Sequence, residues 1–164
     1  MDLYSELKNI ISSYGNSEPV LTIEVEGIIF PCPRPRVTRG RDGRSHIYYP
    51  DDYVDCKTLI IDCAKIAMYQ AEYQPVEAGL VLIKFYGVEQ IGPRSSRDGD
   101  NMMKSVFDGI TEAGVFLTDT LATIPMGLYY WIPECLENKT EIIVYETART
   151  DHKKIRKINK KARR

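Results

Sequence analysis

Several features that mark other protein classes are scarce or missing in these 164 residues. The chain has four cysteines, none of them in a Cys-x-x-Cys pair, only two histidines and a single tryptophan. No apolar run approaches the roughly 20 residues that span a bilayer, and the acidic start lacks the cationic stretch of a signal peptide. We therefore expect a cytoplasmic protein with free thiols. Because Cys56 and Cys63 share one face of a predicted helix, we expect them to be buried hydrophobic side chains rather than zinc ligands.

Charge is unevenly distributed along the chain, although the net charge is only −1. Residues 149–164 contain nine Lys or Arg and one Asp, which leaves 13 basic and 22 acidic side chains in the remainder. The length and the hydrophobic fraction of 43% fit one globular domain with its own core. We therefore divide the chain into an N-terminal amphipathic helix and linker (1–18), a main domain (19–148) and a basic tail (149–164) with too few apolar residues to fold alone.

The apolar pattern of the main domain predicts four strands. They are expected at 21–26, 80–88, 121–132 and 140–147. The nearly continuous apolar run at 80–88 indicates a buried central strand, and Pro125 indicates an edge or a bulge in the third strand. We expect residues 133–138 to join the last two strands as a hairpin.

Two main helices are predicted between these strands. The first starts at Asp51, and its apolar stripe is formed by Cys56, Leu59, Ile60, Cys63 and Ala67. The second precedes Gly114, and its apolar stripe is formed by Met103, Val106, Phe107, Ile110 and Ala113. This order of elements predicts an α+β fold, with a mixed four-stranded sheet and two main helices packed on it.

An acidic stretch opens the second helix. Asp98 and Asp100 flank Gly99, and in an extended segment such i and i+2 residues project to the same side. We expect Asp100 or Asn101 to cap the helix and Gly114 to end it. The helix face opposite the apolar stripe carries Asn101, Lys104 and Asp108.

Acids before a helix are commonly only caps, and that alternative stays open. A calcium loop does not fit, because Met102 and Gly109 would fall where such a loop needs oxygen ligands. Three further residues favour a catalytic site over a simple helix cap. They are the cations Arg97 and Lys104, which neighbour the acids, and a third acid, Asp119, which follows the helix. Three acids and a lysine suit Mg²⁺-dependent phosphodiester chemistry, because hard oxygen ligands hold the metal and the cation offsets charge on the phosphate.

Residues 31–50 are predicted to form a long, arginine-rich loop that ends at Tyr48 and Tyr49. Its arginines are Arg34, Arg36, Arg39, Arg41 and Arg44. Arg94 and Arg97 add two more just before the acids. A solvated surface loop is the simpler interpretation. We favour a loop that grips DNA phosphates (a phosphate clamp), because arginine forks match phosphate oxygens and tyrosines can stack on unpaired bases.

The pattern Asp98-Gly99-Asp100-Asn101-x-x-Lys104-x-x-x-Asp108, followed by Gly114 and Asp119, resembles the RusA family of Holliday junction resolvases. The resemblance is strongest over 93–119 and looser over 21–147. It implies a RusA-like fold, a homodimer, and a catalytic set of Asp98, Asp100, Lys104 and Asp119. Its three acids would bind Mg²⁺, with Mn²⁺ as a substitute, and Asn101 and Asp108 would support them, Asp108 by orienting Lys104. Thr118 departs from the family, whose members often have a second acid just before the last Asp.

We therefore expect a Mg²⁺-dependent endodeoxyribonuclease that hydrolyses phosphodiester bonds in Holliday junctions or related branched DNA during recombination and repair. A homodimer with twofold symmetry would place one site on each of two like strands. Two alternatives stay open at this point. One is a branched-DNA-binding protein without catalytic activity, and the other is an interaction protein whose basic tail binds another polyanion.

Overall fold

The computed structural model describes residues 9–13, 18–33, 36–39, 41, 43–88, 98–117, 123–124 and 126–147. Its strands are β1 (Leu21–Glu26), β2 (Arg36–Arg39), β3 (Ser45–Tyr48), β4 (Gly79–Tyr86), β5 (Met126–Ile132) and β6 (Lys139–Glu146). Its helices are α1, described over 9–13, α2 (Asp51–Gln70) and α3 (Gly99–Glu112). The predicted division into three segments stays a prediction, and the basic tail lies outside the described residues.

The main sheet has the strand order β1-β6-β4-β5. Strand β6 is antiparallel to both β1 and β4, whereas β5 is parallel to β4. This mixed four-stranded sheet with α2 and α3 packed on it confirms the predicted α+β fold. The predicted hairpin through 133–138 is wrong, because β4 lies between β5 and β6. The side chains of β4 are buried on both faces of the sheet, which suits an internal strand, and β1 and β5 take the edges.

The sheet separates two apolar layers, and β4 contributes to both. On one face, Ile83 and Phe85 belong to the main core, which α2 and α3 cover. On the other face, Leu80 and Leu82 pack with Ile11 of α1. The N-terminal helix therefore packs on the domain itself, which explains why the apolar run of β4 is nearly continuous. Within the described residues, no helix is long and apolar enough to cross a membrane.

The two main helices approach each other closely at Gly109 of α3. A side-chain carbon at this position would lie 2.6 Å from Ile60 of α2, so only glycine fits without displacing a neighbour. The predicted stripe of α2 is correct for the buried Cys56 and Ile60 but wrong for Leu59, which is exposed. The buried positions of α2 include Tyr53 and Ala64 instead, because the helix face that points into the core is centred on Ile60, the residue after Leu59. All four cysteines are free thiols, and Cys63 packs partly buried against the core.

The predicted long loop over 31–50 contains an unexpected antiparallel hairpin. Strands β2 and β3 pair from Arg36 with Tyr48 to Arg39 with Ser45, and they form a separate two-stranded sheet. We call β2, β3 and the turn between them the arginine hairpin. Each strand has only four residues, which is too short for a clear alternating pattern, and the exposed Val37 shows that the hairpin does not depend on a buried face there.

Candidate active site

Helix α3 carries the predicted catalytic motif and connects two parallel strands. Parallel strands require a crossover, and α3 lies in the crossover from β4 to β5. Its N-cap is Asp98, whose backbone is extended with φ −102° and ψ 127°. The prediction of Asp100 or Asn101 as N-cap is therefore wrong. The helix begins earlier because the amide of Met102 donates to the carbonyl of Asp98 at 2.9 Å, while Gly114, with φ +90°, ends it as predicted.

The carboxyl groups of Asp98 and Asp100 meet even though Asp100 is helical. The pKa of Asp98 is raised, first by a hydrogen bond between the two carboxyl groups and then by the negative charge of Asp100. The pKa of Asp100 is lowered because its carboxylate accepts the hydrogen bond from Asp98. Asp100 Oδ1 also accepts a hydrogen bond from the amide of Asn101 at 2.9 Å. The two carboxylates are therefore close enough to repel each other when both are ionised, a repulsion that a bound cation would relieve.

Lys104 is held one turn further along the helix. Its Nζ lies 3.0 Å from Oδ1 of Asp108, so the predicted contact between these two residues is present. The other oxygen of Asp108 accepts a hydrogen bond from the hydroxyl of Tyr53 in α2 at 3.0 Å, and the thiol of Cys32 lies 3.9 Å from it. Burial, followed by the hydrogen bond to Asp108, raises the pKa of Tyr53, so its hydroxyl remains a proton donor. The catalytic role of Lys104 and the orienting role of Asp108 remain predictions.

Sequence reasoning missed Tyr53, Cys32 and Tyr129 as neighbours of this site. Tyr53 lies three residues before Cys56, so the apolar stripe of α2 could have placed it inward, but no local pattern pairs it with Asp108. The ring of Tyr129 in β5 packs edge-on against Phe85 of β4, with centroids 6.1 Å apart.

The hydroxyl end of Tyr129 lies against Gly99, between the two acids. A side-chain carbon at Gly99 would lie 2.5 Å from this hydroxyl, so a larger residue there would displace the side chain of Tyr129. Packing against Tyr129 therefore favours glycine at position 99, in addition to its place in the motif. Tyr129 is also partly exposed, so its hydroxyl borders the surface that Asp98 and Asp100 present.

The other predicted site residues are placed to different extents. Arg39, Arg41 and Arg44 lie exposed on the arginine hairpin, and Arg36 lies in β2 with its side chain not described. Four more predicted residues lie outside the described part of the chain: Arg34, Arg94, Arg97 and Asp119. Asn101 is at the N-terminal end of α3, where its carbonyl oxygen accepts a hydrogen bond from the amide of Cys32 at 3.0 Å.

The donor set at the start of α3 suits a hard divalent cation. Two exposed carboxyl groups face each other and supply only oxygen, the ligand atom that Mg²⁺ prefers. Within the described residues, no group of three or more His, Cys, Asp and Glu side chains could hold a metal ion. The pair therefore fits as part of a metal site, and a further ligand has to come from elsewhere.

Comparison with known proteins assigns the chain to a family. The sequence profile of the family described as endodeoxyribonuclease RusA matches residues 27–145, which include every strand of the main sheet except β1 and the end of β6. No curated protein sequence matches the chain significantly. The profile spans the arginine hairpin, both main helices and the whole of the motif from Asp98 to Asp119. The chain therefore belongs to the RusA family of endodeoxyribonucleases.

Proposed function

We propose that this protein is a Mg²⁺-dependent, structure-specific endodeoxyribonuclease that resolves Holliday junctions or related branched DNA in recombination and repair. The observation that supports this best is the arrangement on α3. Two carboxyl groups meet at its N-terminus, and a lysine fixed by Asp108 follows one turn later. An acid pair serving only as a helix cap would not need the lysine, and Asp98 makes no side-chain hydrogen bond to the helix as a cap.

Each residue has a distinct task in this proposal. Asp98 and Asp100 would hold Mg²⁺ together with Asp119, and Mn²⁺ would substitute. The bound metal would supply Lewis-acid activation of water and positive charge near the phosphate. Lys104 would place its ammonium group beside the phosphate as negative charge develops there. Asp108 aligns that ammonium group and leaves Lys104 half-exposed toward the substrate.

Binding of DNA is assigned to basic groups outside the acid pair. Arginines of the hairpin lie exposed and would contact phosphates. The acidic remainder of the chain repels DNA, so the hairpin and the basic tail would supply most of the attraction. We propose a homodimer, because two symmetric cuts need two sites, and light scattering should therefore report about twice 18.8 kDa. A monomer that still makes paired cuts would exclude this assembly.

A nicking assay tests the proposed function directly. The full-length protein is mixed with a synthetic four-way junction labelled on each strand, with Mg²⁺ or with EDTA. We expect symmetric cuts with Mg²⁺, none with EDTA, and none on linear duplex of the same sequence. Binding without cuts would favour a non-catalytic junction-binding protein, and equal affinity for junction, duplex and heparin would favour a general polyanion-binding protein.

A further inference from the structure

A pocket of about 350 Å³ lies beside the lysine of the candidate site. It is lined by Tyr49, Tyr53, Lys57, Asp108, Thr111 and Glu112. Four charged residues of α3 are spaced by four, and we call them the polar row: Asp100, Lys104, Asp108 and Glu112. Residues at this spacing share a helix face, so the polar row leads from the acid pair to the pocket. The distance along the helix from Asp100 to Asp108 is about 12 Å.

The aromatic part of the pocket presents one accessible ring. Tyr49 is 40% exposed, whereas Tyr53 beneath it is only 5% exposed. Their ring centroids are 5.3 Å apart and the ring planes are inclined by 41°. Tyr53 is fixed by its bond to Asp108, so it supports Tyr49 from below. A supported, partly exposed tyrosine ring is a stacking surface for a flat ligand.

The polar part of the pocket offers little attraction to a phosphate group. Its only cationic side chain among the described lining residues, Lys57, is paired with Glu112 at 2.9 Å. Asp108 is likewise paired, with Lys104 outside the lining, so the lining has no excess positive charge to attract an anion. Carboxylate oxygens accept hydrogen bonds from N–H groups, which nucleobases carry at their edges. The enclosed hydroxyl oxygen of Thr111 has no hydrogen-bond partner within the described residues, so a ligand or water can satisfy it.

We propose that this pocket binds one unpaired nucleobase of the cleaved DNA strand, with its ring stacked on Tyr49 and its edge toward Glu112. The inference rests on the proposed function, since it places this base in the strand whose phosphate lies at the acid pair. The volume is within the range of small-ligand pockets. Because about 12 Å of stacked strand holds at most about four nucleotides, the base lies within about four nucleotides of the cut. Junction opening would then be coupled to cleavage by capture of a base next to Lys104.

Abasic substitution tests the base directly. Each nucleotide within four positions of the cut is replaced in turn by an abasic analogue, and single-turnover cleavage is measured with saturating full-length protein and Mg²⁺. We expect one position at which loss of the base slows cleavage by roughly tenfold, the usual consequence of losing one base–aromatic stack. Equal rates at every position would overturn the proposal.

Variants then link that position to the pocket. We call the slowing of cleavage by the abasic analogue the abasic penalty. In Tyr49→Leu this penalty should disappear, because the stacking surface has already been removed. Tyr49→Phe retains the ring and should retain the penalty. Tyr69→Leu is the control, since Tyr69 is an exposed tyrosine of α2 that does not line the pocket, and this variant should also retain the penalty. A full penalty in Tyr49→Leu would show that the base binds elsewhere.

A second readout separates this inference from the proposed function. Junctions carrying 2-aminopurine at each position are bound without Mg²⁺, and a base that leaves the DNA stack changes its fluorescence. We expect a change at the abasic-sensitive position in the wild-type protein and none in Tyr49→Leu. A fluorescence change without any cleavage in Mg²⁺ would contradict the nuclease function but support the base pocket. Cleavage without any change would contradict the pocket alone.

Discussion

The polar row and the arginine hairpin both present charge to the proposed DNA substrate, but they are held very differently. In the polar row, Lys104 forms an ion pair with Asp108, and Asp108 accepts a hydrogen bond from Tyr53 on another helix. The strands of the hairpin form a sheet of their own, apart from the main sheet, and Arg39 and Arg41 are exposed. A two-stranded ribbon is only marginally stable by itself, whereas α3 is anchored in the main core.

This difference suits two kinds of work. Catalysis needs charges fixed within fractions of an ångström of their productive positions, which a helix bonded to its neighbour provides. Contacts with phosphates fix register and supply attraction, and they tolerate adjustment. We therefore expect variants of the site on α3 to lose cleavage rate with little loss of affinity, and variants of the hairpin to lose affinity with little loss of rate.

The acid pair should show the largest effect. Asp98→Asn and Asp100→Asn should each abolish cleavage in Mg²⁺, because a neutral amide is a poor ligand for a hard dication. Asp119→Asn should do the same if Asp119 supplies a third ligand. Junction binding should persist or tighten, since a negative charge near phosphate has been removed. Gel-shift and cleavage assays on the same preparation check both points.

The matched control for the acid pair is Asp62→Asn, which removes an exposed carboxylate from α2. It should cleave at the wild-type rate. If Asp98→Asn or Asp100→Asn also cleaved at that rate, the affected residue would not be a metal ligand, and the catalytic interpretation of the polar row would weaken.

Lys104→Ala should have the next largest effect. Losing one fixed charge contact to a transition state typically costs about 3–4 kcal/mol, or a few hundredfold in rate. Single-turnover cleavage at saturating protein should slow by roughly that factor, with a much smaller change in affinity. Lys65→Ala, at an exposed position of α2, is the control. A large loss of affinity with an unchanged rate would make Lys104 a DNA-positioning residue, like those of the hairpin.

The same contrast explains how much the sequence could predict. The apolar spacing of α3 and the alternation of β1 are local patterns, so the sequence predicts both elements, although α3 begins earlier than expected. The contact between Lys104 and Asp108 is also local, because residues four apart on a helix are neighbours. The motif therefore predicted the part of the site that lies within one helix.

What the sequence missed depends on pairing between distant segments. The hydrogen bond from Tyr53 to Asp108 spans 55 residues, and the position of β4 between β5 and β6 is set by pairing between strands that are distant in sequence. No short-range pattern encodes either relation. The arginine hairpin was missed for another reason: its strands have only four residues each, β2 has an arginine at both ends, and neither strand shows the apolar alternation that identifies a half-buried strand.

Tyr53→Phe should have a moderate effect on rate. The change removes only the hydroxyl that fixes Asp108, so Lys104 stays present but is less well aligned. One hydrogen bond to a charged group is worth about 1.5 kcal/mol, which corresponds to roughly tenfold in the single-turnover rate. Affinity for the junction should stay the same, and Asp108→Asn should reproduce the loss of rate.

Tyr73→Phe is the matched control for Tyr53→Phe. Tyr73 is a partly buried tyrosine, and its hydroxyl donates to the carbonyl oxygen of Val115 at 3.3 Å, away from the polar row. Thermal unfolding should show a comparable small destabilisation of both variants, whereas only Tyr53→Phe should slow cleavage. Equal rates for the two variants would show that Tyr53 serves stability alone.

The arginine hairpin should have the smallest effect on rate. Each phosphate contact contributes about 0.9 to the slope of log K against log salt concentration, so the double variant Arg39→Gln, Arg41→Gln should flatten that slope by roughly 2. Lys65→Gln removes a positive charge outside the hairpin and should leave the slope unchanged. The loss should be similar on junction and linear duplex, because phosphate contacts carry no structural discrimination. Cleavage at saturating protein should change less than twofold, since the polar row is intact. A large loss of rate at saturation would show that the hairpin helps to assemble the catalytic geometry, and the separation between the two regions would then not hold.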